Sequence, residues 1–231
     1  MNVLAIDIGG THVKLLASNA SEPREFDSGT GLTPALMVRE VHRLTADWSC
    51  DAISMGYPGL VIHGRIAAEP KNLGKGWTGF DFAEAFDKPV RIINDAAMQA
   101  LGSYDGGRML FLGLGTGLGS AMIVDGLLEP MELAHLPYRK GRSYENYVGS
   151  AGLKRLGKKK WRKHVWAVID LLRKALEPDY VVVGGGNARK LGPMPAGVRA
   201  GENANAFTGG FRLWESSDGD RKNSPEPQPT L

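Results

Sequence analysis

The stretch Leu4-Ala5-Ile6-Asp7-Ile8-Gly9-Gly10-Thr11 has a near copy later in the chain, Leu110-Phe111-Leu112-Gly113-Leu114-Gly115-Thr116. Each is a short apolar run that ends in a turn of glycine and threonine, and an apolar segment typical of a returning strand follows each turn. The same unit therefore occurs twice, about a hundred residues apart, which indicates an internal duplication of one fold unit. Two related lobes that face one another would leave a cleft between them.

Strand and helix patterns alternate along the rest of the chain. Thr33 and Pro34 are typical of a helix start, and apolar residues continue at helical spacing up to Trp48. The patterns predict strands at 3–8, 11–16, 52–55, 90–93, 109–112, 120–124 and 180–183, and helices at 34–48, 81–86, 96–101, 161–176 and from 187.

These elements predict an α/β protein of two lobes. We place the N-terminal lobe, with the first glycine turn, at residues 1–95 and the C-terminal lobe, with the second, at 96–215. The last helix of the C-terminal lobe is expected to pack back on the N-terminal lobe. Residues 216–231 are rich in proline, serine and charged residues and predict a disordered tail.

The composition excludes several classes of protein. With 231 residues and 42% hydrophobic content, the chain has enough apolar surface for a core that folds without disulfides. Cys50 is the single cysteine, so neither an intramolecular disulfide nor a zinc site of several cysteines is available. Asp7 ends the first apolar run before it reaches the length of a signal-peptide core, and no later run is long enough to span a bilayer. We therefore expect a cytoplasmic protein without membrane contact.

Three predicted strand ends carry glycine clusters, at residues 9–10, 113–119 and 184–186. Glycine lets the backbone turn tightly and bring its N–H groups against phosphate oxygens, and the hydroxyls of Thr11 and Thr116 can add donors. One glycine-rich hairpin is more often purely structural, but three of them favour phosphate binding. The dinucleotide fingerprint G-x-G-x-x-G fails in residues 113–119, and the chain has no G-x-x-x-x-G-K-[ST] run, so a Rossmann oxidoreductase and a P-loop enzyme are both disfavoured.

Four motifs, in their order and spacing, closely resemble the ROK family of sugar kinases within the actin-like ATPase superfamily. They are Asp7-Ile8-Gly9-Gly10-Thr11, Asn94-Asp95-Ala96, Leu114-Gly115-Thr116-Gly117-Leu118-Gly119 and Gly184-Gly185-Gly186. The resemblance is greatest to the polyphosphate glucokinase branch, because the family's zinc-binding cysteines are absent and the segments Tyr57-Pro58-Gly59 and His63-Gly64 are present. It implies two actin-like (ribonuclease H-like) lobes, each with a mixed sheet, and an interlobe cleft. It also implies a kinase that transfers a terminal phosphoryl group from polyphosphate or ATP to a hexose, converting glucose to glucose 6-phosphate.

The resemblance also assigns roles to single residues. Asp95 would be the general base that takes the proton of the sugar hydroxyl, and Asp7 would hold Mg²⁺ directly or through water. The residues implied for hexose binding are Asn72, Asn94, Glu132, His135 and Glu145. Those implied for the donor phosphates are Asp7, Gly9, Gly10, Thr11, Gly115, Thr116, Gly117, Gly185 and Gly186. Judged by residue type alone, Asp95 is also a candidate helix cap and Asp7 a candidate turn-stabilising residue.

The chain departs from the family pattern in one loop. Ala134 stands where the family usually has glycine before the histidine, and the cysteines that bind zinc and brace this loop are missing. No structural zinc is expected.

Cations crowd the stretch from Arg139 to Lys163, in which Glu145 is the only acid. Such a stretch is either a solvated basic face or a site for a polyanion, whether nucleotide phosphate, polyphosphate or nucleic acid. Combined with the resemblance, it predicts a hexose and a polyanionic phosphoryl donor as partners, rather than nucleic acid or a membrane. A donor chain of polyphosphate would use the run Lys158-Lys159-Lys160, and a homodimer is left open.

Two other functions are left open. A sugar-sensing repressor of the same family would carry a DNA-binding helix-turn-helix before the first glycine turn, and Asp7 is expected to lie too close to the N-terminus for one. A sugar-binding member with weak or no catalysis is the other, since the chain is short and the loop at Ala134 is irregular.

Overall fold

The computed structural model describes residues 1–202 and 204–215. The strands are β1 (Val3–Ile8), β2 (His12–Ala17), β3 (Arg24–Asp27), β4 (Ala52–Tyr57), β5 (Val61–Ile62), β6 (Arg65–Ile66), β7 (Val90–Asn94), β8 (Arg108–Leu114), β9 (Leu118–Val124), β10 (Leu127–Met131), β11 (Pro137–Arg139), β12 (Arg142–Ser143), β13 (Tyr180–Gly184) and β14 (Val198–Ala200). The helices are α1 (Pro34–Leu44), α2 (Phe82–Phe86), α3 (Asp95–Ser103), α4 (Tyr144–Val148), α5 (Ser150–Leu176) and α6 (Asn205–Glu215).

The first five-stranded sheet has the order β3-β2-β1-β4-β7. Strands β1, β2 and β3 form an antiparallel meander, whereas β4 and β7 run parallel to β1. Strand β1 is apolar and buried except at Asp7, whereas buried and more exposed residues alternate along β2. Apolar side chains of both strands pack with Met37, Tyr57 and Trp77 in one buried cluster. This hydrophobic layer positions the parallel ends of β1, β4 and β7 at one edge of the sheet.

The second five-stranded sheet repeats this arrangement, with the order β10-β9-β8-β13-β14. Strands β8, β9 and β10 form the antiparallel meander, and β13 and β14 run parallel to β8. The matching order and directions agree with the repeat read from residues 4–11 and 110–116. The predicted α/β class with a mixed sheet in each half is confirmed.

The last helix packs against the first sheet. The indole nitrogen of Trp214 in α6 donates to the Ser54 hydroxyl at 2.9 Å, and Gly210 lies against Ala5 and Ser54. At the crossing with α3, a Cβ on Gly209 would lie 1.8 Å from the Met98 carbonyl oxygen, so the two backbones touch. Helix α6 thus contacts elements from both halves of the chain. The lobe boundaries at 95 and 215 remain predictions. The predicted tail 216–231 lies outside the described residues.

Some element boundaries differ from the predicted ones. Helix α1 ends at Leu44 instead of Trp48, because Thr45 caps it and its hydroxyl donates to the Val41 carbonyl at 2.8 Å. Helix α5 begins at Ser150 rather than Trp161 and is interrupted at Gly157, whose φ of 74° is outside the helical range. After the third glycine cluster a short 3₁₀ turn, Ala188–Lys190, replaces the predicted helix. In the part of the chain that is described, no helix is long and apolar enough to cross a membrane.

Candidate functional site

The parallel strands of the first sheet bring two carboxylates to one edge. Asp7 at the end of β1 is in register with Gly56 of β4, and Tyr57 is in register with Asn94 at the end of β7. Gly56 lies under the start of α3, where a Cβ would come 2.5 Å from the Met98 side chain and 3.4 Å from the Asp95 Cα. The missing side chain lets the first turn of α3, which carries Asp95, lie directly over the strand ends.

Asn94 fixes the start of α3. Its side-chain oxygen accepts hydrogen bonds from the N–H groups of Ala96 and Ala97, at 2.9 and 3.3 Å, and its side-chain nitrogen donates to the Gly59 carbonyl at 3.1 Å. Asn94 is therefore the cap of the helix, and Asp95 is its first residue. One amide hydrogen of Asn94 remains for the hexose contact predicted from the sequence.

Asp95 has a strongly perturbed carboxyl group. Burial raises its pKa to about 7, and the charges of Asp7 and, more weakly, Glu132 act in the same direction, although the Ala96 N–H donates to its Oδ1 at 2.8 Å and opposes them. Burial likewise raises the pKa of Asp7 to about 6, against the charge of Lys14. Two other predicted site residues, Asp7 and Glu132, thus act on Asp95, although Glu132 follows the second sheet.

The loop after β10 carries Glu132 and His135. His135 Nε2 lies 3.9 Å from Glu132 Oε2 across a 3₁₀ turn, Leu133–His135, and both side chains are largely exposed. The buried Ser120 hydroxyl holds the start of this turn, because it donates to the Met131 carbonyl at 2.7 Å and accepts from the Leu133 N–H at 3.2 Å. The two side chains lie beside one another, and both are exposed to a ligand.

The two other predicted sugar ligands lie at the glycine turns. Asn72 is exposed, and its side chain lies 3.8 Å from the position that a Cβ on Gly10 would occupy. Glu145 in α4 lies against the second turn, with its Oε2 2.6 Å from the corresponding position on Gly117. The structure therefore brings Asp7 and Asp95 to one edge, where the charge of Glu132 also acts on Asp95, and pairs His135 with Glu132. It places Asn72 and Glu145 beside the first and second turns, respectively.

The second and third glycine turns are joined directly. The Gly115 carbonyl accepts from the Ser150 hydroxyl at 2.8 Å and from the Asn187 side chain at 3.1 Å, while the Asn187 N–H donates to the Leu114 carbonyl at 2.9 Å. Gly185, at a φ of 81°, crosses the backbone of Leu114. Ser150 and Gly56 are the two residues that the sequence analysis missed. A serine following Gly149 is a recognisable helix start, but the basic run after it obscured the helix.

Backbone donors remain at all three turns. The Gly9 N–H donates to the His12 carbonyl and the Gly115 N–H to the Gly117 carbonyl, so neither is available to a ligand. Within residues 1–202 and 204–215, no hydrogen bond engages the N–H groups of five other turn residues, Gly10, Thr11, Thr116, Gly117 and Gly186. Unpaired backbone donors at a turn are the groups that bind phosphate oxygens.

The carboxylates at the edge of the first sheet suit a magnesium ion. No group of three or more His, Cys, Asp or Glu side chains that could hold a metal occurs in the described part of the chain. Magnesium usually takes only one or two protein carboxylates and fills its other positions with water and substrate phosphates. Asp7, beside the first turn, meets that requirement, and its charge also raises the pKa of Asp95.

Comparison with known proteins gives consistent matches. The model of the ROK family matches residues 3–129. Polyphosphate glucokinase of Mycobacterium tuberculosis is 33% identical over 152 residues, which cover 60% of this chain and 57% of the relative. Polyphosphate glucokinase of Mycobacterium leprae is 29% identical over 205 residues, which cover 81% of this chain and 60% of the relative.

Among solved structures, the inorganic polyphosphate/ATP-glucomannokinase from Arthrobacter sp. strain KM superposes with a TM-score of 0.78 at 23% identity. The superposition covers 93% of this chain and 99% of that one. At this identity the likeness concerns the fold. In the sequence comparisons, the chain spans less than two thirds of the length of the curated relatives that it matches.

Proposed function

Because the chain belongs to the ROK family, we propose that it is a sugar kinase that transfers a terminal phosphoryl group from polyphosphate or ATP to a hexose hydroxyl. Glucose, converted to glucose 6-phosphate, is the proposed substrate, since the matched relatives include polyphosphate glucokinases. The observation that carries the proposal is the position of Asp95, a carboxyl with a pKa raised to about 7, at the strand edge next to Asp7. We place the reaction in the cytoplasm.

Asp95 is the proposed general base. As the hydroxyl oxygen of the sugar forms its bond to the terminal phosphorus, the bond from that phosphorus to the donor oxygen breaks and the hydroxyl proton passes to the Asp95 carboxylate. A base is most effective when its pKa lies near the working pH, and the surroundings of Asp95 raise its pKa to about 7. Phosphoryl transfer otherwise depends mainly on positioning and charge stabilisation, which the turns and the closing of the lobes would supply.

The hexose would lie between the start of α3, which carries Asp95, and the loop after β10, which carries Glu132. Glu132 and His135 are exposed and adjacent, so they can pair with neighbouring sugar hydroxyls, and Asn94 has one amide hydrogen left for a third. Asn72 and Glu145 would reach the sugar from the sides of the first and second turns. Several fixed partners are needed because a sugar hydroxyl loses its water contacts on binding and must regain hydrogen bonds.

The donor phosphates would lie on the glycine turns. The unpaired N–H groups of Gly10 and Thr11 in the first turn, Thr116 and Gly117 in the second, and Gly186 in the third are the proposed donors to phosphate oxygens. Asp7 is the proposed residue for Mg²⁺, which when bound would offset the charge of the donor phosphates. Since Asn187 ties the second turn to the third, these two turns would move as one unit.

The proposal is tested by a coupled assay of a hexose panel with ATP and with polyphosphate in parallel. We expect turnover of glucose above that of other hexoses with at least one of the donors. Sugar binding without turnover with either donor would favour the alternative, a sugar-binding member of the family that lacks catalysis. Absence of both sugar binding and turnover would overturn the proposed function.

A further inference from the structure

A surface cavity of about 290 Å³ lies between β11 and the second segment of α5. Its lining residues are Tyr138, Arg139, Lys160, Lys163, His164 and Ala167, and we refer to it as the α5 pocket. None of these residues belongs to the candidate site at the strand edge or to a glycine turn.

The α5 pocket concentrates positive charge. Lys160 and Lys163 are three residues apart on α5 and so project from the same face of the helix, while Arg139 approaches from the end of β11. Within residues 1–202 and 204–215, no carboxylate lies at ion-pair distance from any of these three cations. Three like charges around one cavity repel each other, and a bound anion would remove that repulsion.

Aromatic side chains hold the floor of the pocket in place. The His164 ring lies 4.7 Å from the Tyr147 ring, and the Tyr138 ring stands edge-on to Tyr147 at 5.1 Å. The Tyr138 hydroxyl lies 3.2 Å from His164 Nδ1, and the Arg139 guanidinium lies 5.2 Å from the Tyr138 ring centre. Burial and the charges of Arg139 and Arg155 lower the pKa of His164, so its ring is neutral near pH 7 and takes part as a hydrogen-bonding group.

We propose that the α5 pocket binds a phosphate group, as a second anion site distinct from the glycine turns. Convergent cations together with a hydroxyl and an imidazole form the set that recognises phosphate oxygens. Of the three lysines in the run Lys158-Lys159-Lys160, only Lys160 lines the cavity, so the proposal assigns phosphate binding to Lys160 alone among them. Binding there does not require the chain to be a kinase.

Two sources supply this chemistry, free phosphate and a phosphate within a polyphosphate chain. Helix α5 begins at Ser150, which binds the second glycine turn, and Lys160 lies in its second segment, beyond the interruption at Gly157. A single phosphate cannot occupy both places, whereas a chain of phosphates held at the turns could extend to the pocket.

The test is a titration of the protein, without sugar, with inorganic phosphate and with tripolyphosphate, followed through the His164 ring signals by NMR. We expect saturable shifts and an upward change in the His164 pKa, since a bound anion favours the protonated ring. Saturation by inorganic phosphate assigns the pocket to the free ion, and saturation by tripolyphosphate alone assigns it to a phosphate chain; both outcomes support the proposal.

Two double variants that remove the same charge distinguish phosphate binding in the α5 pocket from nonspecific attraction to the exposed lysines of the helix. Lys160→Gln with Lys163→Gln should weaken binding by about tenfold or more, because both side chains line the pocket. Lys158→Gln with Lys159→Gln removes the same charge from the same helix and should change affinity by less than about twofold. Equal losses in both variants, or no saturable His164 shift, would overturn the proposal without affecting the proposed kinase function.

Discussion

At the scale of the residue, the ionised carboxylates of Asp7 and Asp95 lower the stability of the folded protein. Burial raises the pKa of both carboxyls, and the charge of Asp7 raises that of Asp95 further, so the ionised forms are less favourable in the folded protein than in the unfolded chain. Natural sequences retain such groups at sites that bind ligands, and a base is improved by the same surroundings that disfavour its charge.

The pH dependence of stability tests this view of Asp95. Its folded pKa of about 7 lies above the unfolded value, so its ionisation lowers stability progressively as pH rises from about 4 to about 7, and the loss is complete above that range. Asp95→Asn removes the ionisation while its side-chain oxygen can still accept from Ala96. We expect a melting temperature a few degrees above wild type at pH 8 and equal to it near pH 4.

Glu129→Gln is the matched control for this measurement, because Glu129 is exposed on β10 and its replacement should leave the melting temperature close to wild type at every pH. A melting temperature of Asp95→Asn below wild type at pH 8 would contradict the assigned electrostatics.

At the scale of the element, the start of α3 is the most constrained part of the site. Asn94 caps the helix and binds the loop at Gly59, and the glycine at position 56 leaves room for the first turn. The sequence analysis named Asp95 as a candidate cap at this point, as the alternative to its catalytic role, and the cap is one residue earlier. Residue type cannot distinguish the two, because asparagine and aspartate are equally good caps and only the backbone conformation decides which side chain faces the helix end.

Two cap variants test the constraint at α3. Asn94→Ala and Thr33→Ala each remove an N-cap and should lower the free energy of unfolding by about 1 kcal/mol. Urea denaturation measures both. Only Asn94→Ala should also reduce turnover strongly, because α3 carries Asp95 whereas α1 carries none of the proposed catalytic or binding residues. Equal activities in the two variants would argue against a role for the α3 start in positioning Asp95.

The contact between the second and third turns can be tested through Asn187. Asn187→Ala removes the side-chain bonds to the Gly115 carbonyl and the Ser150 hydroxyl, and so should loosen the turns that bind the donor. We expect the KM for the donor to rise severalfold and the KM for the sugar to change little.

Asn19→Ala is the control, since Asn19 also hydrogen-bonds through its side chain but lies on the exposed loop after β2. Equal increases in the two KM values of Asn187→Ala would show that Asn187 supports the fold in general and not the donor site.

At the scale of the whole molecule, the sequence predicts the architecture well and the loops poorly. The duplicated strand and turn units correspond to β1–β2 and β8–β9, because apolar runs bounded by glycine are strong signals. The strands β3 and β10 were missed, since they lie at sheet edges and are only half-buried, so their sequences carry little hydrophobic pattern. Helix α4 is only five residues long, too short for periodicity to show.

The candidate site likewise contains residues whose positions follow from local sequence and residues whose positions depend on tertiary packing. Asp7 lies near the end of one strongly predicted strand and Asp95 follows another, so their meeting at one edge follows from parallel strand order. The placement of Glu145 against the second turn depends on the packing of α4 and α5, which no local pattern encodes. The link of Asn187 to Gly115 is likewise a contact between distant segments.

The central claim is that Asp95 acts as the base for a phosphoryl donor held on the glycine turns. The measurement that tests it most directly is the kcat of Asp95→Asn with the best sugar and donor, alongside the sugar Kd of the same variant. We predict a fall in kcat of roughly a hundred- to ten-thousand-fold with the sugar Kd nearly unchanged, and wild-type kcat for Glu129→Gln. Turnover of Asp95→Asn within about tenfold of wild type would contradict the account.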